Sequence, residues 1–369
     1  MKKVIVLTPN YLKNNGVGFA CSNNVKSLIK TGYDVTVYTD KTGSVSLFGE
    51  KVIVISEDKS RTLHCIISDE KPDLLIAYCW HTWCVKILYK VSKNNKKIKT
   101  CIMSHGTARR VKHNFKSRIY SMRWFFYNHF IKKSIKEIDL LVVLSDKKDT
   151  DRFEDNLIYD SIVTNKCRKV TIGNTVPDHF FKNKLSFPRK KQIVHVGAFT
   201  SLKNEKEILN AFLESNLDEF SLILIGKEDN EYLRIMKNTL KNTDKKVLFK
   251  VGIKHEEIID IVSQASIVAL SSKSECQPIS LIESLSKGTP FVARNTGCIS
   301  EYKGGVVYDN YEELRRALDR LMIDEEYLKK LSDTGYEYCL DFHSESKNQN
   351  EFISEVARLI NVEQESTNG

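Results

Sequence analysis

The sequence predicts an α/β protein made of two doubly wound, parallel-sheet domains that face each other across a cleft. Three observations carry this expectation. Short runs rich in Val, Ile and Leu recur through both halves with little alternation, as strands do when helices cover both faces of their sheet. Helix-spaced segments lie between many of these runs. The alternation runs twice, one set ending near Val176 and the next beginning at Gln192, and 369 residues is two domains' worth at roughly 100–200 residues per domain.

In chain order the predicted strands are VIVLT (4–8), DVTVYT (34–39), VIVI (52–55), LLIAY (74–78), KTCIM (99–103) and LLVVLS (140–145). The second set is IVHVG (193–197), SLILIG (221–226), VLFKVG (247–252), IVAL (267–270) and PFVAR (290–294). Helices are expected where apolar residues recur every three or four positions: Asn23–Thr31 with Val25, Leu28 and Ile29, Glu205–Glu214 with Ile208, Leu209 and Phe212, then Glu256–Ser263 and Leu281–Ser286. The stretch PDHFFKNKLSFPRKK (177–191) has two prolines and no long apolar pattern, so it reads as a linker. The expected domains are therefore residues 1–180 and 190–345, with residues 346–369 a C-terminal helix able to return to the first domain and a frayed tail.

The opening MKKVIVLTPN has an apolar run too short for a secretory h-region and reads as a first buried strand. No run of about 18 apolar residues is present. The nine cysteines are scattered, with no C-x-x-C pair, which points to a reducing compartment and no zinc site. The net charge is +10, unevenly spread: from Leu74 to Lys136 there are 15 Lys or Arg and no Asp or Glu. A one-sided basic surface suits phosphates, whether of anionic lipid, nucleic acid or a phosphorylated acceptor.

The segment SSKSECQPISLIESLSKGTPFVARNTGC (271–298) follows the predicted strand IVAL. Pro278, Ile279 and Ser280 open a helix whose free backbone N–H groups can take an anionic phosphate. Glu275 lies in the loop before it and Glu283 about one turn inside it, each able to accept from two hydroxyls at once. A bare pair of glutamates at this spacing is by itself better explained by a helix cap and a solvated side chain. This segment, however, closely resembles the donor site of retaining GT-B glycosyltransferases of family 4, the glycosyl transferases group 1. The resemblance extends in order over most of the chain: GVGFACSNNVKSLIKTGYDVTVYT (16–39), KPDLLIAY (71–78), VTIGNTVPDHF (170–180) and HVGAFTSLKNEKEILNAF (195–212).

That resemblance implies two Rossmann-like domains, the first binding acceptor and the second a nucleotide-sugar. Residue by residue it implies that Glu275 binds the donor sugar hydroxyls, Glu283 the ribose, and Lys203 the diphosphate. The amides around Gln277, Pro278, Ile279 and Ser280 face the phosphates, and Gly16, Gly18 and Gly197 allow close backbone approach. His105, in SHGTARR after KTCIM, contacts the donor sugar near the acceptor, so that Glu275, His105 and Lys203 form the catalytic set. The co-substrate is a UDP- or GDP-sugar, with no metal and no further cofactor. One position departs from the family: Ala198 stands where an arginine usually follows the glycine of the phosphate loop. Either another basic residue such as Lys13 replaces that cation or the diphosphate is held less tightly. A catalytically silent sugar-nucleotide-binding protein therefore stays open as an alternative. Asp149-Thr150-Asp151 spells the D-x-D metal motif of the other glycosyltransferase fold but sits in a charged stretch, KKDTDRFED, with no predicted strand immediately before it.

The segment 108–139 interleaves Arg109, Arg110, Lys112 and Arg123 with Trp124, Phe125 and Phe126. As a helix it could lie in a membrane interface, with rings at the acyl boundary and cations on anionic head groups. It could also be a buried helix with lysines in water, or bind nucleic acid, because rings stack on bases and cations neutralise phosphates. The overall expectation is a cytoplasmic hexosyltransferase, peripheral on the inner membrane face, that extends a saccharide or lipid-linked saccharide in surface polysaccharide assembly. The alternative of a DNA-modifying glycosyltransferase stays open.

Overall fold

A computed structural model of the chain describes residues 1–9, 11, 16–40, 45–55, 62–107, 115–149, 152–162, 166–240 and 243–366, with the side chains of 115–124, 322–323 and 362–366 excepted. The chain divides into two compact units. Met1–Asn174 together with Asn348–Gly369 form the first and Thr175–Lys347 the second.

The first unit is built on a seven-stranded parallel sheet. Its strands are β1 (Lys3–Thr8), β2 (Asp34–Thr39), β3 (Lys51–Val54), β4 (Leu74–Tyr78), β5 (Lys99–Met103), β6 (Leu140–Val143) and β7 (Arg168–Thr171), in the order β3-β2-β1-β4-β5-β6-β7. Side chains alternate across it. Ile5, Leu7, Leu75, Ala77 and Ile102 share a cluster with Leu63 and Ile67 of helix Leu63–Glu70 and Leu88 and Val91 of helix Trp83–Asn94. Val4, Val6, Leu74, Ile76 and Met103 share the other with Val25 and Leu28 of helix Gly16–Lys30. Phe352, Val356 and Ile360, spaced four apart on the final helix Glu345–Ser366, complete that second cluster. Each such buried side chain contributes about 1.5–3 kcal/mol.

The second unit carries β8 (Lys190–Val196), β9 (Ser221–Gly226), β10 (Lys246–Val251), β11 (Ala265–Leu270), β12 (Phe291–Arg294) and β13 (Gly305–Tyr308), all parallel, in the order β10-β9-β8-β11-β12-β13. Its helices include Glu205–Leu213, Glu231–Asn238, His255–Gln264 and Ile279–Ser286, then Tyr311–Ile323 and Glu325–His343. Asn230, Asn310 and Asp324 cap three of these by accepting a backbone N–H three residues on.

In each sheet the strand order reverses once, between β1 and β4 and between β8 and β11. Loops leaving the carboxyl ends of those neighbouring strands diverge, which opens a crevice for ligands.

Two edge strands, β7 and β13, were not among the predicted runs. Residues 177–191, read from sequence as a linker, are part of the second unit. Arg189 there donates to the carbonyls of Ser263, Leu185 and Lys287 at 2.9–3.0 Å and also to Thr289 Oγ1, while Tyr336 donates to Phe181 O at 2.6 Å. Helix Gly16–Lys30 starts seven residues earlier than predicted, so Gly16 and Gly18 lie in its first turn and not in a turn before it.

Candidate active site

In the second unit, the loop after β8 and the loop after β11 are bonded to one another. Lys273 N donates to Leu202 O at 2.8 Å, and Ser271 Oγ donates to Lys203 O at 3.2 Å and Asn204 O at 2.8 Å. Phe199, 2% exposed, anchors the first of these loops, and its carbonyl accepts from Asn230 at 2.8 Å. Gly197 gives the loop its start. A Cβ there would lie 2.9 Å from His195 Nε2 and 3.6 Å from Lys203 Cγ. Below it, buried His195 donates through Nδ1 to Ala269 O at 2.9 Å, and its Nε2 lies 3.5 Å from the buried Glu205 carboxylate.

This geometry brings Lys203 and Glu275 together, with Nζ 2.5 Å from Oε1 and the carboxylate side chain 12% exposed. The Glu275 amide donates to Thr296 Oγ1 at 3.0 Å, and Cys298 N to Cys276 O at 3.0 Å, so the turn after β12 clamps the backbone on either side of the acid. Gln277 and Pro278 are buried behind it. Pro278 then starts helix Ile279–Ser286 with no side-chain cap. The first-turn amides, including those of Ile279 and Ser280, have no carbonyl four residues back and present partial positive charge.

Glu283 is the fifth residue of that helix, and its Oε1 lies 2.8 Å from His255 Nε2. The hydrogen bond from the imidazolium to Glu283 raises the His255 pKa, against a smaller opposing effect of burial. His255 was not singled out in the sequence. Its partner is 28 residues away on another helix, and the HEE start of its own helix reads as an ordinary acidic first turn.

In the first unit, His105 follows β5 with its ring stacked on Tyr78 of β4, centroids 5.7 Å apart. Tyr78 in turn accepts from Asn24 of the helix that Gly16 begins, at 2.8 Å. Burial pushes the His105 pKa down to about 4, so the ring is neutral at pH 7. His81 is similarly lowered to about 4 and packs edge-on against Tyr127 at 4.5 Å, as a structural histidine does. Asp149 accepts from the amides of Arg152 at 2.7 Å and Phe153 at 3.1 Å.

Phe125 and Phe126 lie on helix Phe115–Glu137, 75% and 73% exposed, with ring centroids 6.0 Å apart. The same helix exposes Lys132, Lys133 and Lys136 while burying Ile131 and Ile135. Lys13, Arg109, Arg110, Lys112, Thr150 and Asp151, and the side chains of Arg123 and Trp124, lie outside the described residues. Among the described residues no helix is long and apolar enough to cross a membrane.

Residues 178–338 match the family model described as glycosyl transferases group 1. A Haemophilus influenzae protein described as an uncharacterized glycosyltransferase is 24% identical over 209 residues, covering 54% of this chain and 56% of that relative. The chain thus spans little more than half the length of this relative. Among solved structures, a sucrose-phosphate synthase from Thermosynechococcus elongatus superposes with a TM-score of 0.74 at 15% identity over 98% of this chain and 100% of the other. Anabaena HepE, solved in complex with UDP-glucose, gives 0.72 at 12% identity over 97% and 100%. These likenesses establish the fold: two parallel-sheet α/β domains of the GT-B type.

Proposed function

We propose that this chain, whose residues 178–338 match the group 1 glycosyltransferase family model, is a retaining, metal-independent glycosyltransferase that moves a hexose from a UDP- or GDP-sugar to a saccharide acceptor. The observation that carries this reading is the Lys203–Glu275 pair at the carboxyl ends of β8 and β11, beside the uncapped start of helix Ile279–Ser286. A lysine ammonium has three donors, so Lys203 can hold Glu275 and a phosphate oxygen together. With the amides of Ile279 and Ser280 it would stabilise the charge that develops on the departing nucleoside diphosphate. Exposed Lys273, tied through its backbone to Leu202, adds positive charge where Ala198 supplies none. Glu283 would grip the ribose diol and Glu275 the sugar hydroxyls. Neutral His105 offers the sugar a hydrogen bond and no charge, and the leaving phosphate takes the acceptor proton on the same face.

The exposed Phe125–Phe126 pair on a lysine-bearing helix supports an acceptor held at an anionic membrane surface, such as a lipid-linked saccharide on the cytoplasmic face. Fold alone does not select the sugar.

The test is transfer from a panel of UDP- and GDP-sugars with and without EDTA, with the product anomer assigned by NMR. Specific donors should raise Tm by mass action. Glu275→Ala and Lys203→Ala should each lower turnover by about 100-fold or more, in the range of removing one group that stabilises developing charge. Wild-type rates in both variants, or no thermal shift with any nucleotide sugar, would reject the reading.

A further inference from the structure

Residues 152–156 of the first unit touch the loops that leave three successive strands. After β4, buried Trp80 donates its indole N–H to Asp155 Oδ2 at 2.9 Å. After β5, Ser104 Oγ donates to the same oxygen at 2.5 Å, Thr107 N donates to Arg152 O at 2.6 Å, and Glu154 N donates to Thr107 Oγ1 at 3.1 Å. After β6, the Asn156 amide group donates to Ser145 O at 2.8 Å and Lys147 O at 2.7 Å. Asp155 is 1% exposed and Asn156 is fully buried. The second Asp155 oxygen accepts from the Asn156 backbone N–H at 3.1 Å.

A buried carboxylate costs several kcal/mol unless its lone pairs are filled. Here neutral donors fill them: an indole, a hydroxyl and a backbone amide. Burial is the leading influence on this carboxyl and raises its pKa above the usual carboxylate range. A carboxylate kept in so dry a place is poorly explained as a stabilising device, since an apolar side chain would fill the space at less cost. What it does achieve is geometric. Oδ2 fixes Trp80 and Ser104 to a common point, and Ser104 immediately precedes His105. The same Ser104 oxygen also accepts from Gly106 N at 3.2 Å, so the backbone on both sides of His105 depends on where Asp155 holds that hydroxyl. The ring of His105 then rests on Tyr78 at the end of β4, whose following loop carries Trp80.

We propose that Asp155 and Asn156 are positioning residues: they staple the loops after β4, β5 and β6 into one rigid rim and thereby set the orientation of the His105 imidazole. This deepens the glycosyltransferase reading, because a rim so fixed would present His105 to the transferred sugar. Its structural part stands without that reading. Positioning of this kind affects rate steeply, since misplacement by about 1 Å can cost about 100-fold.

The test uses the full-length chain, labelled with 15N-histidine, with the His105 signal assigned through His105→Gln. Ser104→Ala removes one bond from the rim and leaves Asp155 in place. Asp155→Asn keeps an oxygen for Trp80 and Ser104 but turns an NH2 group toward the Asn156 amide. Asp155→Ala removes all three bonds. In the wild type the His105 titration midpoint is expected near pH 4. In Asp155→Ala, and to a lesser extent in the two milder variants, it should rise toward the unperturbed 6.5 as water reaches the ring. Turnover should fall about 10–100-fold in Asp155→Ala and about 3–10-fold in the milder pair. Nucleotide affinity should stay within twofold, because Lys203, Glu275 and Glu283 lie in the other unit.

If Asp155→Ala fails to fold, Ser104→Ala and Asp155→Asn carry the test. An unmoved His105 midpoint in both folded variants would overturn the positioning role. A shifted midpoint with unchanged turnover would uphold the staple and reject the placement of His105 beside the reacting sugar.

Discussion

Replacing Gly297 with alanine isolates the backbone clamp that holds Glu275. Gly297 has φ +57, and a Cβ there would lie 2.3 Å from Cys276 O and 2.5 Å from Glu275 O. Both neighbours are main-chain atoms, so no flexible side chain can swing aside. A left-handed residue with a Cβ costs about 1–2 kcal/mol. Relieving contacts about 1 Å too short requires a backbone shift of the kind that costs a further 1–3 kcal/mol or so in overpacked sites. The expected loss is therefore about 2–5 kcal/mol. Gly252→Ala is the internal control, because φ there is +65 but the nearest atom to a Cβ, Lys227 O, is 3.5 Å away. It should cost the left-handed term alone. The assay is urea unfolding followed by two probes. All three tryptophans, Trp80, Trp83 and Trp124, lie in the first unit, so indole fluorescence reports that unit while far-UV circular dichroism reports both. With a slope of about 2 kcal/mol per molar urea, Gly297→Ala should lower the second unit's midpoint by about 1–2.5 M. It should also weaken nucleotide-sugar binding beyond what Gly252→Ala does. Equal midpoints for the two variants would refute the clash on which the estimate rests.

Two further outcomes follow from the described contacts. His255 has a raised pKa because of Glu283, so the pair's contribution is fully present below about pH 6.5 and is lost as pH rises through the folded-state value. The imidazole is more than half exposed, so the gain is about 0.2–1 kcal/mol, and melting of His255→Gln against wild type should show a gap near pH 5.5 that closes near pH 8.5; a gap independent of pH would remove the pair from the explanation. Substituting Phe125 and Phe126 together by serine should cut flotation with anionic vesicles by about tenfold or more, since burying one such ring is worth about 1.5–3 kcal/mol, and flotation equal to wild type would show that the rings do not meet lipid.

How much of this was legible in the sequence follows from what each residue faces. LLIAY, SLILIG and IVAL belong to strands buried on both faces, and a continuous apolar run announces that environment directly. RKVT and GVVY are four-residue edge strands, largely half-buried, and carry no such run. The proline-bearing stretch 177–191 looked like a linker because its attachment runs through Arg189, whose carbonyl partners lie up to 98 residues away. The acids and the lysine of the candidate site were legible only through resemblance, and the contact between Lys203 and Glu275 spans 72 residues with no local pattern to reveal it. Asp155 was illegible for the same reason. Within EDNLIYD it looks like one more acid at a helix start, and only the tertiary fold brings Trp80 and Ser104 to it.

The return of the last helix has a consequence for biosynthesis. The first unit's strands are all translated by Thr171, yet Phe352, Val356 and Ile360 complete one of its hydrophobic faces. At roughly 5–20 residues per second, a ribosome needs on the order of 10–40 s to supply them. Throughout that interval this face of the nascent amino-terminal sheet is packed by helix Gly16–Lys30 but lacks Phe352, Val356 and Ile360, while the intervening module can already have collapsed. Maturation of the earlier-made half therefore waits on the synthesis of residues 352–360, and chaperone engagement should concentrate in that interval.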